Sequence, residues 1–460
     1  MSFKRWVGMG LAVAMLVSLG AGCSGGGQAS TEATTIQLDY WRVFDDEDSF
    51  KDIIKSYQTL HPNVKITYRR LRPEEYETEL IRAFAEGRGP DIFSVHNTKI
   101  GEFESLMEPM PASVNVSYLE MVGSLRKKAV YVEREQPTLS QKSLKQQFVD
   151  VVADDVIRPY KASPEASAVS AVFGLPLSVD TMALYYNKDL LNAAGIPQAP
   201  ASWEEFQNDV AKLTVIDAEG KITQSGAALG TTDNIERSAD ILSLLMMQNG
   251  TIMTKDNAIT FNEIPDGTPE GLFPAVDAAR FYTDFANPTK EVYSWNDSFS
   301  GSFEAFANGQ TAFFFGYSYH IPYLAAAAPK LNYGIGPMPQ ISGGRQVNFG
   351  NYWVESVAKN SDQSDYAWDF VQYAASADQA GKYLNKANKP TALRGLINTQ
   401  LNDEDMGTFA EQVLTADSWY EGRDADAMEK ALNDFADGVL AGSNPEDLVD
   451  EAAQIVRQTY

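Results

Sequence analysis

The sequence predicts an α/β fold in two lobes joined by a hinge. Apolar stretches of period two alternate along it with stretches of helical period, the pattern of a mostly parallel sheet covered by helices. The chain runs to 460 residues, and single cores stop growing near roughly 250–300 residues, so it divides. Its 44% hydrophobic and 11% aromatic content is ordinary for a globular protein and excludes a disordered one.

The elements follow in order. Ile36 to Trp41 alternates and is β-prone, a first strand. After an acidic loop, Phe50 to Leu60 has helical spacing, and His61-Pro62-Asn63 turns the chain. Val64 to Arg70 is a second strand. Glu74 to Gly87 is an amphipathic helix that stops at glycine, and Ile92 to Val95 is a short buried strand. Ligands bind beyond the carboxyl ends of the strands in such sheets, which places Trp41–Asp46 and His96–Thr98 on the binding edge. Ser105 to Ser170 is locally basic, with Arg126, Lys127, Lys128, Arg134, Lys142 and Lys145, and reads as an insertion of helices. Its charge suits either a solvated face or a docking surface for another protein.

Strands are predicted at Val172–Leu177, Met182–Tyr186, Thr311–Phe315, Asn332–Gly336 and Asn351–Val357. Helices are predicted at Lys188–Ala194, from a capping box at Ser202 and Glu205, at Ala239–Gln248, Phe273–Phe285, Phe299–Ala307 and Asp365–Ala374, and through most of the acidic final stretch.

The formal net charge is −25. Such a surface repels nucleic acid and anionic headgroups, so neither is a partner of the body of the protein, and it favours a monomer. The one cysteine, Cys23, excludes an internal disulfide and a cysteine-rich zinc site. The three histidines, His61, His96 and His320, lack metal-type spacing, and His61 is expected to be solvated in its turn. The run Asp45-Asp46-Glu47-Asp48 lacks the alternation and glycine of a calcium loop. No metal and no cofactor is expected.

The N-terminus reads as an address. Lys4 and Arg5 precede an apolar run from Trp6 to Leu19 that is too short to span hydrocarbon and fits a secretory signal over residues 1–22. Gly20, Ala21 and Gly22 lead into Cys23, which resembles a bacterial lipobox, where the cysteine is acylated; the position that usually holds leucine is Gly20. An ordinary secretory signal with a stray cysteine is the alternative. Residues 23–35, poor in apolar bulk, read as a flexible tether.

Five runs in order carry a resemblance. They are Leu38-Asp39-Tyr40-Trp41 with His61-Pro62-Asn63-Val64; Gly87-Arg88-Gly89-Pro90-Asp91; Gly174-Leu175-Pro176 with Ala183-Leu184-Tyr185-Tyr186-Asn187-Lys188-Asp189-Leu190-Leu191 and Pro200-Ala201-Ser202-Trp203-Glu204-Glu205-Phe206; Phe306-Ala307-Asn308-Gly309-Gln310-Thr311-Ala312; and Tyr333-Gly334-Ile335-Gly336-Pro337-Met338-Pro339 with Gly350. In this the chain is similar to the bacterial extracellular solute-binding proteins of the group that includes the maltose-binding protein. The resemblance implies the type II periplasmic-binding-protein fold, with an N-terminal lobe of residues 36–172 and 341–383 and a C-terminal lobe of residues 173–340 and 384–460. It also implies export to the outer face of the cytoplasmic membrane or the periplasm. There a carbohydrate is captured by hinge closure and delivered to the membrane permease of an ABC importer.

A sugar site needs aromatic plates and fixed donors and acceptors. By position in the family pattern the candidates are Trp41, Phe44 and Asp45; His96 and Asn97; Asp180 and Tyr185; Gln248 and Asn249; Trp295; Tyr317; Asn351, Tyr352 and Trp353; and Arg394. Any one of the aromatics also suits a core position. The other classes weighed are a surface glycan-cleaving enzyme and an adhesin. No G-x-S-x-G, G-x-x-x-x-G-K-[ST] or H-E-x-x-H signature is present, whereas paired carboxylates for glycoside hydrolysis have no fixed spacing to search for.

Overall fold

The computed structural model describes residues 29–30, 33–124 and 126–460. The signal region 1–22, Cys23 and most of the predicted tether lie outside the described residues. Within the tether, Ala29 and Ser30 pair with Val132 and Tyr131, so this short piece is held on a sheet edge. Among the described residues no helix is long and apolar enough to cross a membrane.

Two large hydrophobic cores define two lobes, and a third, smaller one, with Tyr185, Phe314 and Phe409, covers the other face of the second lobe's sheet. The first is built on Ile36–Val43, whose full length pairs in parallel with Val64–Leu71 and whose far side pairs with Ile92–His96. Alternating Leu38 and Tyr40 point into the core. Helices Glu47–Leu60 and Pro73–Ala85 cross between these strands and bury Phe50, Ile53 and Tyr57, and Tyr76, Leu80 and Ala83. Trp353–Ala358 returns late in the sequence and adds antiparallel to Ile92–His96. The three parallel strands therefore end on one edge, and so does the start of Trp353–Ala358.

The second lobe has a sheet in the order Val215–Ile216, Ile222–Ala227, Thr311–Gly316, Ala183–Asn187, Tyr333–Gly336. Its central strand, Thr311–Gly316, is buried at every position, as its run of three phenylalanines requires. Half of the expected capping box forms at the start of Trp203–Leu213: Ser202 Oγ accepts from Glu205 N at 3.2 Å, while the Glu205 carboxylate accepts from Ala201 N, one residue before the cap, at 2.9 Å.

A small third sheet lies where the chain passes between lobes. Asp180–Thr181 pairs antiparallel with Asn348–Asn351, which pairs in parallel with Ala416–Asp417. Core membership changes beside each of these strands: Val179 to Met182, Phe349 to Tyr352, Val413 to Trp419. Phe173, Leu175 and Leu177 thus belong to the first core, as do Ala392 and Leu393, and Val347 and Phe349 to the second. The crossings lie beyond the predicted 172/173, 340/341 and 383/384. The reason is that the chain runs on as extended backbone before it reaches the next core. Gly101 of the first lobe lies so close to the second that a Cβ there would collide with the carbonyl oxygens of Glu421 and Gly422.

Two expectations are corrected. The insertion at 105–170 is not all helical: Ser113–Val122 and Lys128–Pro137 form a ten-pair antiparallel hairpin, followed by short helices at Gln141–Gln147 and Asp150–Val156. Val114, Val116 and Tyr118 alternate toward the core, a period-two signal that the basic residues obscure. His61 is not solvated. It is buried beneath that hairpin, with Nδ1 at 2.9 Å from Ser117 O and Nε2 at 3.4 Å from the Asp369 carboxylate.

Candidate functional site

The binding edge of the first lobe is held by a buried charge network. Arg42, next to last in its strand, lies over the rings of Phe50 and Tyr383 at 4.8 and 5.3 Å, within 3.0 Å of Asp45 and 3.3 Å of Glu355. Lys389 Nζ lies 2.9 Å from Asp45 and Tyr383 Oη donates to it at 3.1 Å. Burial alone would raise the Asp45 carboxyl; the charges of Arg42 and Lys389 outweigh it and hold the group below the usual carboxylate range. Asp45 is thereby fixed, and it stabilises the cations beside it.

Between these two residues the backbone at Phe44 turns left-handed, with φ 69°. A non-glycine residue there is strained. The strain throws the Phe44 ring out of the core to 46% exposure, edge-on to Trp353 at 6.1 Å. Trp353 in turn meets His96 at 5.3 Å and Tyr76 at 5.9 Å. Trp41, on the strand Ile36–Val43, lies beneath the Arg69 guanidinium at 4.5 Å. His96 Nε2 is 3.1 Å from Asn351 Oδ1 and Nδ1 is 2.8 Å from Thr98 Oγ1. Burial, assisted by the charge of Arg237, pulls the His96 imidazole down to about 4, so it is neutral near pH 7.

Arg237, whose charge contributes to that fall, belongs to the second lobe. It too has a left-handed backbone, with φ 59°, at the start of Ser238–Gln248. Its guanidinium is bidentate on Asp240, at 2.8 and 2.7 Å, and reaches Glu429 at 2.9 Å. Tyr317 Oη donates to Asp240 at 2.6 Å. Tyr319 stacks on Tyr317 with centroids 5.7 Å apart and stays 37% exposed, with Tyr323 edge-on at 6.4 Å. Asp180 accepts from Ser318 N at 3.0 Å and Ser318 Oγ at 2.6 Å; burial nevertheless pushes its carboxyl up to about 7.

The structure thus brings together Trp41, Phe44, Asp45, His96, Asn351 and Trp353 on one wall, and Asp180 and Tyr317 on the other. Asn97 and Tyr352 sit behind the first wall, where Asn97 Nδ2 and Tyr352 Oη both donate to Asp155. Five expected residues lie elsewhere. Tyr185 is buried and donates to Tyr317 O at 2.6 Å. Gln248 accepts from Trp203 Nε1 and donates to Pro339 and Val347 carbonyls, joining core segments. Asn249 donates to Pro274 O at the far end of its helix. Trp295 is fully buried, stacked on Phe299 at 4.2 Å and donating to Asn234. Arg394 is committed to Phe148 O and Asp150. Tyr185, Gln248, Trp295 and Arg394 are committed to core packing or to partners of their own, and Asn249, though exposed, lies at the far end of its helix from Arg237.

Arg237, Asp240, Tyr319, Tyr323 and Lys389 are residues that sequence reasoning missed. Arg237 and Asp240, spaced i,i+3 at the start of an apolar helix, are the one local signal that singles out any of them. Among the described residues no group of three or more His, Cys, Asp or Glu is placed to hold a metal ion. The arrangement offers exposed rings and neutral or fully paired polar groups, which suits holding a polar, uncharged molecule.

Residues 44–381 match the family model described as bacterial extracellular solute-binding protein. A putative binding protein of Brucella abortus is 24% identical over 247 residues, covering 52% of this chain and 55% of that protein, so the match spans about half the length of such curated relatives. The galactooligosaccharide-binding protein of Bacillus subtilis is 20% identical over 398 residues, covering 84% of this chain and 80% of that protein. Among solved structures, the cyclic alpha-maltosyl-1,6-maltose binding protein from Arthrobacter globiformis superposes with a TM-score of 0.70 at 17% identity, covering 92% of this chain and 98% of the other. At that identity the likeness shows the fold, the two-lobed α/β architecture of maltose-binding-type proteins.

Proposed function

We propose, from the premise that this chain belongs to the bacterial extracellular solute-binding protein family, that it captures an oligosaccharide between its lobes and hands it to the permease of an ABC importer. Membership of a binding-protein family makes it a binding protein and not an enzyme. The observation that carries the sugar reading is a set of rings left in solvent beside fixed polar groups: Phe44, packed on the half-buried Trp353, in the first lobe, and Tyr319 and Tyr323 in the second, with His96, Asn351, Asp180 and Arg237. Rings stack on the C–H faces of a sugar while the polar groups meet its hydroxyls. The relatives named for oligosaccharides and cyclic maltosyl sugars support the same class.

In this reading the ligand-contacting residues are Trp41, Phe44, His96, Asn351, Trp353, Asp180, Tyr319 and Arg237, with Asp45 and Tyr317 supporting them from behind through Arg42 and Lys389, and through Asp240 and the Tyr319 ring. The small third sheet acts as the hinge, with lobes of about 36–179 and 352–397, and 182–349 and 419–456. Residues 1–22 direct export, Cys23 carries the lipid, and the chain works as a monomer tethered outside the cytoplasmic membrane.

The test is a panel of malto- and galacto-oligosaccharides read by thermal shift and small-angle scattering. The correct sugar at 100 times its Kd adds about 2.7 kcal/mol of stability by mass action and compacts the molecule. If no glycan in the panel does either while a non-sugar solute does, the carbohydrate reading is wrong.

A further inference from the structure

The hairpin Ser113–Val122/Lys128–Pro137 changes character along its length. Its inward face is anchored at the base, where Val114 and Val116 are buried and Tyr118 packs on the first core. The outward face at the base is polar, with Asn115 opposite Glu135 and Ser117 opposite Glu133. Toward the tip the same face turns apolar: Leu119 lies opposite Tyr131 and Met121 opposite Ala129. Leu119 and Met121 are 40% and 59% exposed, and Val122 beside them is exposed as well. Arg126, Lys127 and Lys128 follow, all exposed. The one acidic side chain between residues 119 and 131, Glu120, is neutralised by Arg134.

In a chain of net charge −25, this is an apolar and cationic tip on an anionic body. The strands run four residues past Tyr118, to Val122, about 13 Å at a strand's rise per residue. That exceeds the Debye length of about 8 Å at physiological salt, so the tip's charge is felt independently of the body. Exposed apolar side chains next to clustered Lys and Arg match the interface of an anionic bilayer, with the rings and methyls at headgroup depth and the cations on phosphate. The outer strand of this hairpin is also the one that Ala29 and Ser30 join. Cys23 is six residues before Ala29, a reach of at most about 20 Å.

We infer that the tip of this hairpin is a contact for the anionic lipid surface. It gives the tethered protein a second, weak attachment that orients the cleft while the acidic body is repelled. The inference rests on the reading of an exported, lipid-tethered chain, and the test removes that dependence. The chain from residue 23 onward carrying C23S, which has no export signal and cannot be acylated, is cosedimented with vesicles of phosphatidylglycerol and phosphatidylcholine or of phosphatidylcholine alone. Expected is a preference for the anionic vesicles that weakens in 0.5 M salt and falls at least tenfold in R126E/K127E/K128E. M121S/V122S should weaken it several-fold without changing the salt dependence. Melting temperature and oligosaccharide response should stay those of the C23S parent in both variants, which separates loss of contact from loss of fold. Equal sedimentation with both vesicle types, or no effect of the charge reversal, would overturn the inference. A reversal that spares vesicle binding but blocks uptake in cells would also overturn it, in favour of a protein partner.

Discussion

The hydroxyl of Ser418, at the end of the third crossing between lobes, donates to Oδ1 of Asp155, carried by the first lobe. Oδ2 of the same carboxylate accepts from Asn97 Nδ2 at 3.3 Å and from Tyr352 Oη. One buried side chain thus ties the back of the binding wall to the third crossing between lobes. Burial pushes Asp155 up to about 7, against the three donors, with the charge of Glu421 adding to the rise. Arg158 bridges Glu104 and Glu421 at the same junction, at 3.3 and 3.4 Å.

A carboxyl whose folded value is raised favours the protonated, folded state. Its contribution is fully present below the unfolded value near 4 and is lost as pH rises through about 7. The melting temperature should therefore fall by a few degrees, about 1 kcal/mol or more for a lobe of this size, between pH 5 and pH 8. In D155N, whose amide can accept from Tyr352 and Asn97 and donate to Ser418, that fall should be markedly smaller. Differential scanning calorimetry across this range decides it; parallel pH curves for the two proteins would assign the effect to other groups.

Phe44 combines strain with exposure, so stability and binding should move in opposite directions. F44G relieves the left-handed backbone, where the penalty for a side chain is about 1–2 kcal/mol, and should raise the melting temperature slightly. The same change removes an aromatic plate and should weaken oligosaccharide binding roughly tenfold, as expected for losing about 1.4 kcal/mol of ring contact. Calorimetric titration and thermal melts of one variant supply both numbers. Destabilisation with unchanged affinity would mean the ring serves the fold alone.

Much of the first lobe is legible in sequence because its strands are β-prone runs bounded by turns: Ile36–Val43 and Val64–Leu71 lie where alternation predicts them, and Ile92–His96 where a short apolar run does. The hairpin is not, because Arg126, Lys127, Lys128 and Arg134 draw attention to charge and away from the period of Val114, Val116 and Tyr118. The first wall of the site is legible since its residues follow the strand ends. The second wall is not: His96 and Arg237 are 141 positions apart (237 − 96), and nothing local to either announces the other. Trp295 and Gln248 show the opposite error, where residue types suited to a sugar are used by the core.

Removing Arg237 tests whether the walls face each other. Its charge helps hold His96 at about 4, so R237M should raise the His96 value, read from the imidazole protons by NMR in a chain with three histidines. Burial, the larger cause, persists in the variant, so the value should remain below the usual one. R237M also leaves Asp240 and Glu429 without their cation. Breaking a fully buried pair costs about 3–5 kcal/mol, and partial exposure here brings the expected loss to about 2 kcal/mol. R237M/D240N should recover part of it. An unmoved His96 titration would place the two walls too far apart to share a ligand.

Tyr319 and Trp295 should separate binding from folding. Tyr319 lies in the second lobe with its ring partly in solvent, stacked on one side by Tyr317, so Y319A exposes little core and should change stability by less than about 1 kcal/mol. It deletes a plate of the second wall and should weaken oligosaccharide binding by roughly tenfold or more. Trp295 is fully buried against Phe299 with its indole nitrogen bonded to Asn234, so W295A opens a cavity and leaves Asn234 Oδ1 with Thr231 as its one remaining donor, at about 3–5 kcal/mol. Affinity in the fraction that stays folded should be that of the wild type, because no atom of Trp295 reaches the space between the walls. Chemical denaturation and titration calorimetry on the pair give the four numbers. Should W295A lose affinity while Y319A keeps it, the site lies in the second core and not between the lobes.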